Sequence, residues 1–551
     1  VVVSVAPLAS GVGCDVLRKG GNAVDAAVAT AFALAVVWPE AGNIGGGGFM
    51  MVGRPAVAGP GGAATIQPTV DFVDYRETAP AAVKPDTFAN KPSQHLIAGT
   101  PGTVRGLHLA YERFGSKRVA WADLLAPAIR LAADGFTVDI ALATSLNAGL
   151  KGSGETSAAG VVAAGGGSAE FRRVYGKPGG TPWAAGDKLT LPDLAATLRR
   201  IAADGPAGFY EGKTAELVAA EVARGGGLMT AADLKAYEAK IRPPIVGALR
   251  GATVFAPPPP SSGGVAMLQI LGMMDPLGTP DRWAPPTVHR LVEAMRRAYA
   301  DRARYLGDPG FTDVPVAKLT EAAYIKAMGD SIDPARASTS AFVAPWATVQ
   351  GDAGGQTTHF SVADAGGMVV SNTYTLEQSF GGKIVVPGAG FLLNNELGDF
   401  NPKPGVTTRA GGIGTEPNQA TGGKRPLSSM TPTLVARDGK FVLVTGSPGG
   451  RTIINIVTQV VLNRLMFGMS LRDAVDAPRL HHQWYPDAVR AEQALAAQHP
   501  ETAAGLAAMG HKLDPRTPAR MGDAHSIEID PATGRKTGVA DRRIGGGAAG
   551  Y

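Results

Sequence analysis

The chain has 551 residues, 45% of them hydrophobic and 18% charged, enough apolar material for a large core under a sparsely charged surface. Its 74 glycines and 41 prolines predict many turns, while recurring periodic apolar segments exclude disorder as their cause. The net charge of +5 comes with no basic run, which excludes a nucleic-acid groove, and one cysteine excludes an internal disulfide.

The chain starts VVVSV, and no leader peptide is visible in it. Cys14 shares an apolar helical pattern with Val12, Val16 and Leu17, which predicts a buried, inert thiol. Asn22 is placed to cap the run AVDAAVATAFALAVVW (23–38). That run carries Asp25 and is short for a membrane span, so it predicts a core helix. GNIGGGGFM (42–50) lacks the strand–GxGxxG–helix setting of a nucleotide loop, and its glycines predict close backbone packing.

Leu191, Leu194, Leu198 and Ile201 predict a helix that stops at Gly205. Leu217, Val218 and Val222 predict another that stops at Gly225. Thr230 and Asp233 have capping-box spacing. PPPPSSGG (257–264) predicts a rigid extended segment ending in a turn. Val288, Leu291, Met295 and Tyr299 mark a further amphipathic helix.

The composition shifts near residues 345–356, where APWATVQGDAGGQ predicts a surface loop, and strand patterns dominate afterwards. Phe360 and Val362 alternate with polar residues, DAGG (364–367) turns, and MVVSNTYTL (368–376) returns. A turn over Ala365–Gly367 pairs residues whose numbers sum to about 732. Thr357 then faces Thr375, although β-propensity alone accounts for two facing threonines. TLVARDGKFVLVTGS (433–447) predicts a second hairpin turning at Asp438-Gly439.

No HExxH, CxxC, P-loop or GxSxG is present. His481-His482 lacks metal-ligand spacing and is expected to be structural, so no metal or cofactor is expected. Gly449 and Gly450 of TGSPGG either form a turn or aim two backbone N–H groups at an oxyanion. Ser428 and Ser429 of KRPLSSM lie in a solvated loop or a site. Glu396 and Asp399 of NNELGDF make a charged turn or a pocket for an ammonium.

Seven motifs, DYRETAP (74–80), GTPGTVRG (99–106), PPPPSSGG, QTTHFSV, NNELGDF, KRPLSSMTPT and TGSPGG, occur in the order seen in the γ-glutamyltranspeptidase family, which the chain resembles over residues 4–551. The resemblance implies an α+β N-terminal-nucleophile hydrolase, a four-layer αββα sandwich of two antiparallel sheets between helices. It implies self-cleavage at Gln356–Thr357 into a heavy subunit (1–356) and a light subunit (357–551) of one integrated fold. Thr357 is then the nucleophile, with its new α-amine as base. Thr375 orients it, and Gly449 and Gly450 form the oxyanion hole. Arg76, Ser428 and Ser429 hold the glutamyl α-carboxylate, and Glu396, Asp399 and Glu377 hold the α-ammonium.

The implied donor is a γ-glutamyl compound such as glutathione, and the acceptor is water, an amino acid or a dipeptide. The implied location is the periplasm or cell exterior. Two positions depart from the family pattern. Glu377 stands where well-known members carry asparagine, and the lid-like segment 401–427 has no aromatic residue, with Ala410 roughly where some members have a gating tyrosine. The rival expectations are a β-lactam or other amide acylase of the same fold and an unprocessed, non-catalytic binding protein.

Overall fold

The computed structural model describes residues 1–56, 68–89, 93–151, 167–345, 357–401 and 415–551. Gln356 with the rest of the segment before Thr357, and Ala410 with most of the lid-like segment, lie outside the described residues. Two antiparallel sheets stack between two helical layers, the αββα architecture expected.

The first sheet has seven strands in the order Gly547–Ala549, Val2–Ser4, Thr358–Ala363, Val369–Thr375, Gly47–Arg54, Thr69–Tyr75 and Lys240–Arg242. The second has six, in the order Lys536–Ala540, His525–Ile529, Lys440–Thr445, Thr433–Arg437, Ala252–Ala256 and Ile245–Leu249. Each sheet therefore combines strands from both sides of position 357, and the first interleaves them. The first part of the chain reads as helix-rich, yet it supplies six of these strands. Gly47–Arg54 shows why: buried on both faces, it carries no alternation to betray it.

Side-chain alternation sorts the layers. Met50, Val52, Val73, Tyr75, Val362, Val370 and Tyr374 face one helical layer, built around Ala23–Val37. That helix is buried along its whole length, and Asn22 caps it through a reciprocal box with Asp25. Phe49, Met51, Phe72, Ala363 and Val369 face the other way, toward Val254, Leu434 and Leu443 of the second sheet. Helices Gly263–Met274, Pro285–Tyr305 and Ile453–Leu465 cover that sheet's outer side. Among the described residues no helix is long and apolar enough to cross a membrane.

The local expectations hold. Helices Pro192–Asp204 and Gly212–Arg224 end at Gly205 and Gly225, and Thr230 makes its capping box with Asp233. Cys14 is buried in helix Pro7–Arg18. Asp438 and Gly439 turn the second hairpin with φ +50° and +75°, the left-handed pair a tight hairpin needs. Close packing accounts for the glycine run at 45–48. A Cβ on Gly46 would collide with the carbonyl oxygen of Thr375.

Candidate active site

The first hairpin pairs Ala363 with Val369 and continues in register to Thr358 with Tyr374. The next pair brings Thr357, 9% exposed, beside Thr375, 2% exposed. The Thr357 hydroxyl donates to Thr375 Oγ1 at 3.3 Å, and the Glu377 N–H donates to the same oxygen at 2.8 Å. Glu377 adopts φ +76°, a strained conformation for a non-glycine residue. Asn43, at the glycine-rich turn before Gly47–Arg54, donates to the Thr375 carbonyl at 2.9 Å, tying the nucleophile hairpin to its neighbouring strand.

Arg76 follows strand Thr69–Tyr75 directly and is fully buried. It donates to Glu396 and, at 2.7 Å, to Asp399, and also to the carbonyls of Pro426 (3.2 Å) and Leu427 (3.3 Å). Glu77 lies 3.8 Å from the same guanidinium, with no hydrogen bond to either carboxyl oxygen. Burial opposes the Arg76 charge, but Glu396, Glu77 and Asp399 outweigh it and raise its pKa. Burial pushes the Glu77 carboxyl up to about 7 despite Arg76. It pushes Glu396 well above the carboxylate range, with Glu77, Asp399 and Glu377 adding to the rise. One guanidinium does not balance these acids, so the cluster stores a proton near neutral pH.

Ser428 and Ser429 are buried rather than solvated. The predicted Pro-rich segment holds them: Ser428 N–H donates to the Pro260 carbonyl, and the Ser262 hydroxyl donates to the Ser428 carbonyl at 2.6 Å. Gly449 and Gly450 have φ +134° and +55°, both in the glycine region. They sit where strand Lys440–Thr445 feeds helix Ile453–Leu465, so the helix N-terminus faces the same place. Neither glycine N–H donates to any described residue. The loop is backed by Gly522, whose Cα lies 3.4 Å from where a Gly449 Cβ would be, and by Asp523, whose N–H donates to Ser447 Oγ at 3.1 Å.

One cleft brings together Thr357, Thr375, Glu377, Arg76, Glu396 and Asp399, and its wall also includes Ser428, Ser429, Met430, Gly450, Arg451 and Ile453. Gly449 stands one residue behind this lining. His481 and His482 are buried and structural as expected; burial drives their pKa values down to about 3 and about 4, so both are neutral. Among the described residues no group of His, Cys, Asp and Glu could hold a metal. Glu77, Arg302 and Arg451 had no assigned role in the sequence. Arg302 continues the stripe Val288, Leu291, Met295, Tyr299, and a charge on a core-facing stripe was the signal available.

The family model for Gamma-glutamyltranspeptidase matches residues 9–551. A glutathione hydrolase proenzyme of Escherichia coli (strain K12) is 41% identical, covering 98% of this chain and 90% of the relative. An Acylase ACY 1 proenzyme of Pseudomonas sp. (strain SE83) is 35% identical over 99% of this chain and 92% of its own. The crystal structure of a cephalosporin acylase from Bacillus halodurans superposes with a TM-score of 0.82 at 25% identity, covering 100% of this chain and 95% of that one. With the two-sheet sandwich, the paired threonines and the motif order in agreement, the chain belongs to the gamma-glutamyltranspeptidase family.

Proposed function

We infer that the protein is an autoprocessed γ-glutamyltransferase and glutathione hydrolase that works through Thr357. The observation that carries this reading is the Thr357–Thr375 hydroxyl pair in one cleft with Arg76, Glu396 and Asp399. Processing comes first. The Thr357 hydroxyl attacks the Gln356 carbonyl, the peptide becomes an ester, and water releases the acid and a free Thr357 α-amine. That amine then takes the Thr357 hydroxyl proton during turnover.

The Thr357 oxygen adds to the γ-carbonyl of the donor. The tetrahedral oxyanion faces the N–H groups of Gly449 and Gly450 at the start of helix Ile453–Leu465. Collapse expels the donor's amine with the transferred proton and leaves a γ-glutamyl ester on Thr357. Water or the amine of an amino acid or dipeptide attacks that ester. The first route releases glutamate, and the second releases a new γ-glutamyl amide. Thr375 aims the nucleophile, and Ser428, Ser429 and Arg76 receive the donor α-carboxylate. Glu396, Asp399 and Glu377 receive its ammonium.

The test is a denaturing gel with a donor assay. Purified protein should run as fragments of about 36 and about 20 kDa, in proportion to chain length. It should release p-nitroaniline from γ-glutamyl-p-nitroanilide. A single uncut band with no release refutes the reading. Export to the periplasm or cell exterior belongs to the same proposal and is checked by fractionating cells that make the native precursor.

The likeness to a cephalosporin acylase supports a second reading, an amide acylase acting on β-lactam side chains. The charged cluster of Arg76, Glu396 and Asp399 at the nucleophile favours a zwitterionic donor over it. A panel of γ-glutamyl and β-lactam donors, each with and without a dipeptide, separates the two.

A further inference from the structure

The expected carboxylate-binding residue, Arg76, is already committed. Its guanidinium is shared among Glu396, Asp399 and two backbone carbonyls, so an arriving carboxylate shares it with them. A second guanidinium lies behind the cleft wall in the opposite condition. Arg302 is 5% exposed and forms no ion pair with a carboxylate of the described residues. Its Nη2 donates to Ser429 Oγ at 3.0 Å, and its Nε donates to Ser262 Oγ at 2.8 Å. Ser262 in turn donates to the carbonyl of Ser428, so Arg302 braces both members of the serine pair.

Burial lowers the Arg302 pKa to about 10, with Arg451 and Arg76 adding to the fall against Tyr299 and Asp399. Its place in the last turn of helix Pro285–Tyr305 offsets part of that cost through the helix dipole. A buried cation between two others is most stable with an anion nearby. Of the two serines that Arg302 hydrogen-bonds, Ser429 lines the cleft with Thr357.

We propose that Arg302 is a positioning residue for the donor, supplying through the Ser429 hydroxyl the positive charge that holds the α-carboxylate of the γ-glutamyl group. Ser429 Oγ accepts from Arg302, which leaves the serine proton to point into the cleft and bond the carboxylate. The chain guanidinium–hydroxyl–carboxylate is charge-assisted throughout. The inference rests on the γ-glutamyl reading of the site and adds a residue to it. Arg302 thus works beside Arg76, whose guanidinium also organises Glu396 and Asp399 for the ammonium.

The experiment compares two donors on the processed enzyme: γ-glutamyl-p-nitroanilide and 4-aminobutanoyl-p-nitroanilide, the same amide without the α-carboxylate. Arg302→Met should raise KM for the first donor so that kcat/KM falls roughly 10- to 100-fold, the range for a buried charge-assisted bond. For the second donor kcat/KM should change less than about twofold. Equal losses with both donors overturn the proposal, because a brace without a charge role affects both alike. If Arg302→Met does not process, two other variants decide. Ser429→Ala, which leaves Arg302 in place, should lose most of the discrimination between donors, and Arg302→Lys should keep part of it. Unchanged discrimination in Ser429→Ala, or its complete loss in Arg302→Lys, refutes the relay. A wild-type enzyme that turns over neither donor refutes the γ-glutamyl reading itself, an outcome distinct from the failure of this inference.

Discussion

Thr375→Val is the sharpest test of how the nucleophile is aimed. The two side chains have nearly the same shape, so the change removes a hydroxyl and little else. That hydroxyl accepts from Thr357 at 3.3 Å and from the Glu377 N–H at 2.8 Å. Losing the first bond frees the Thr357 rotamer. Losing the second leaves a buried N–H without its acceptor, at about 1–3 kcal/mol, and loosens the strained turn at Glu377. A misaimed nucleophile costs up to about 100-fold in rate. Together these predict a kcat about 10- to 100-fold below wild type, or roughly 1.4–2.7 kcal/mol of barrier, with KM within about twofold. The assay is initial-rate hydrolysis of γ-glutamyl-p-nitroanilide, normalised to processed protein on a gel. Cleavage of the precursor should slow as well, because it uses the same hydroxyl. Thr375→Ser should recover most of the rate. A fully processed Thr375→Val enzyme with wild-type kcat would remove Thr375 from the mechanism.

Thr357→Ala should leave one band of full length and no turnover; cleavage that survives the change would show that another group cuts the chain. Gly522→Ala places a methyl 2.6 Å from Ser447 Oγ and 2.7 Å from the Pro448 carbonyl, at φ +66°. It should push the Ser447–Gly450 loop out of place and lower kcat about 100-fold, as expected for a lost oxyanion donor, with KM little changed. Unaltered kcat would show that the loop does not depend on this backing. Glu77→Gln tests the stored proton. Burial raises the folded pKa of Glu77 to about 7 from the ordinary 4.5, so wild type gains stability from the bound proton below about pH 4.5 and loses it as pH rises through about 7. The melting temperature of Glu77→Gln relative to wild type should therefore climb between pH 4.5 and 8. A difference that stays flat across that range places the proton elsewhere.

Much of the fold's punctuation was legible in the sequence. Asn22 and Thr230 cap through side chains that reach N–H groups two or three residues on, and Gly205 and Asp438-Gly439 act through their own backbone, so these caps and turns need no knowledge of the rest of the chain. The nucleophile hairpin was equally local: turn position and antiparallel pairing fix its register, and Thr357 meets Thr375 as that arithmetic requires. The motifs named the residues of the cleft, because the family keeps them in order along the chain.

Sequence was silent wherever partners are distant in the chain and both faces of an element are buried. Strand Gly47–Arg54 hides its period between two cores, so alternation does not reveal it. The family resemblance gives Arg76 a carboxylate to hold. Only packing brings Glu396 and Asp399, some 320 residues away, onto its guanidinium. Nothing local in the sequence gives Arg302 a role; only the fold sets Ser429 against it, 127 residues on. Local chemistry thus determined the caps, the turns and the register of the first hairpin, and the family resemblance supplied the candidate nucleophile. Tertiary structure alone decided which charges are already neutralised, because burial and long-range contact set the balance of a cation more than its identity does.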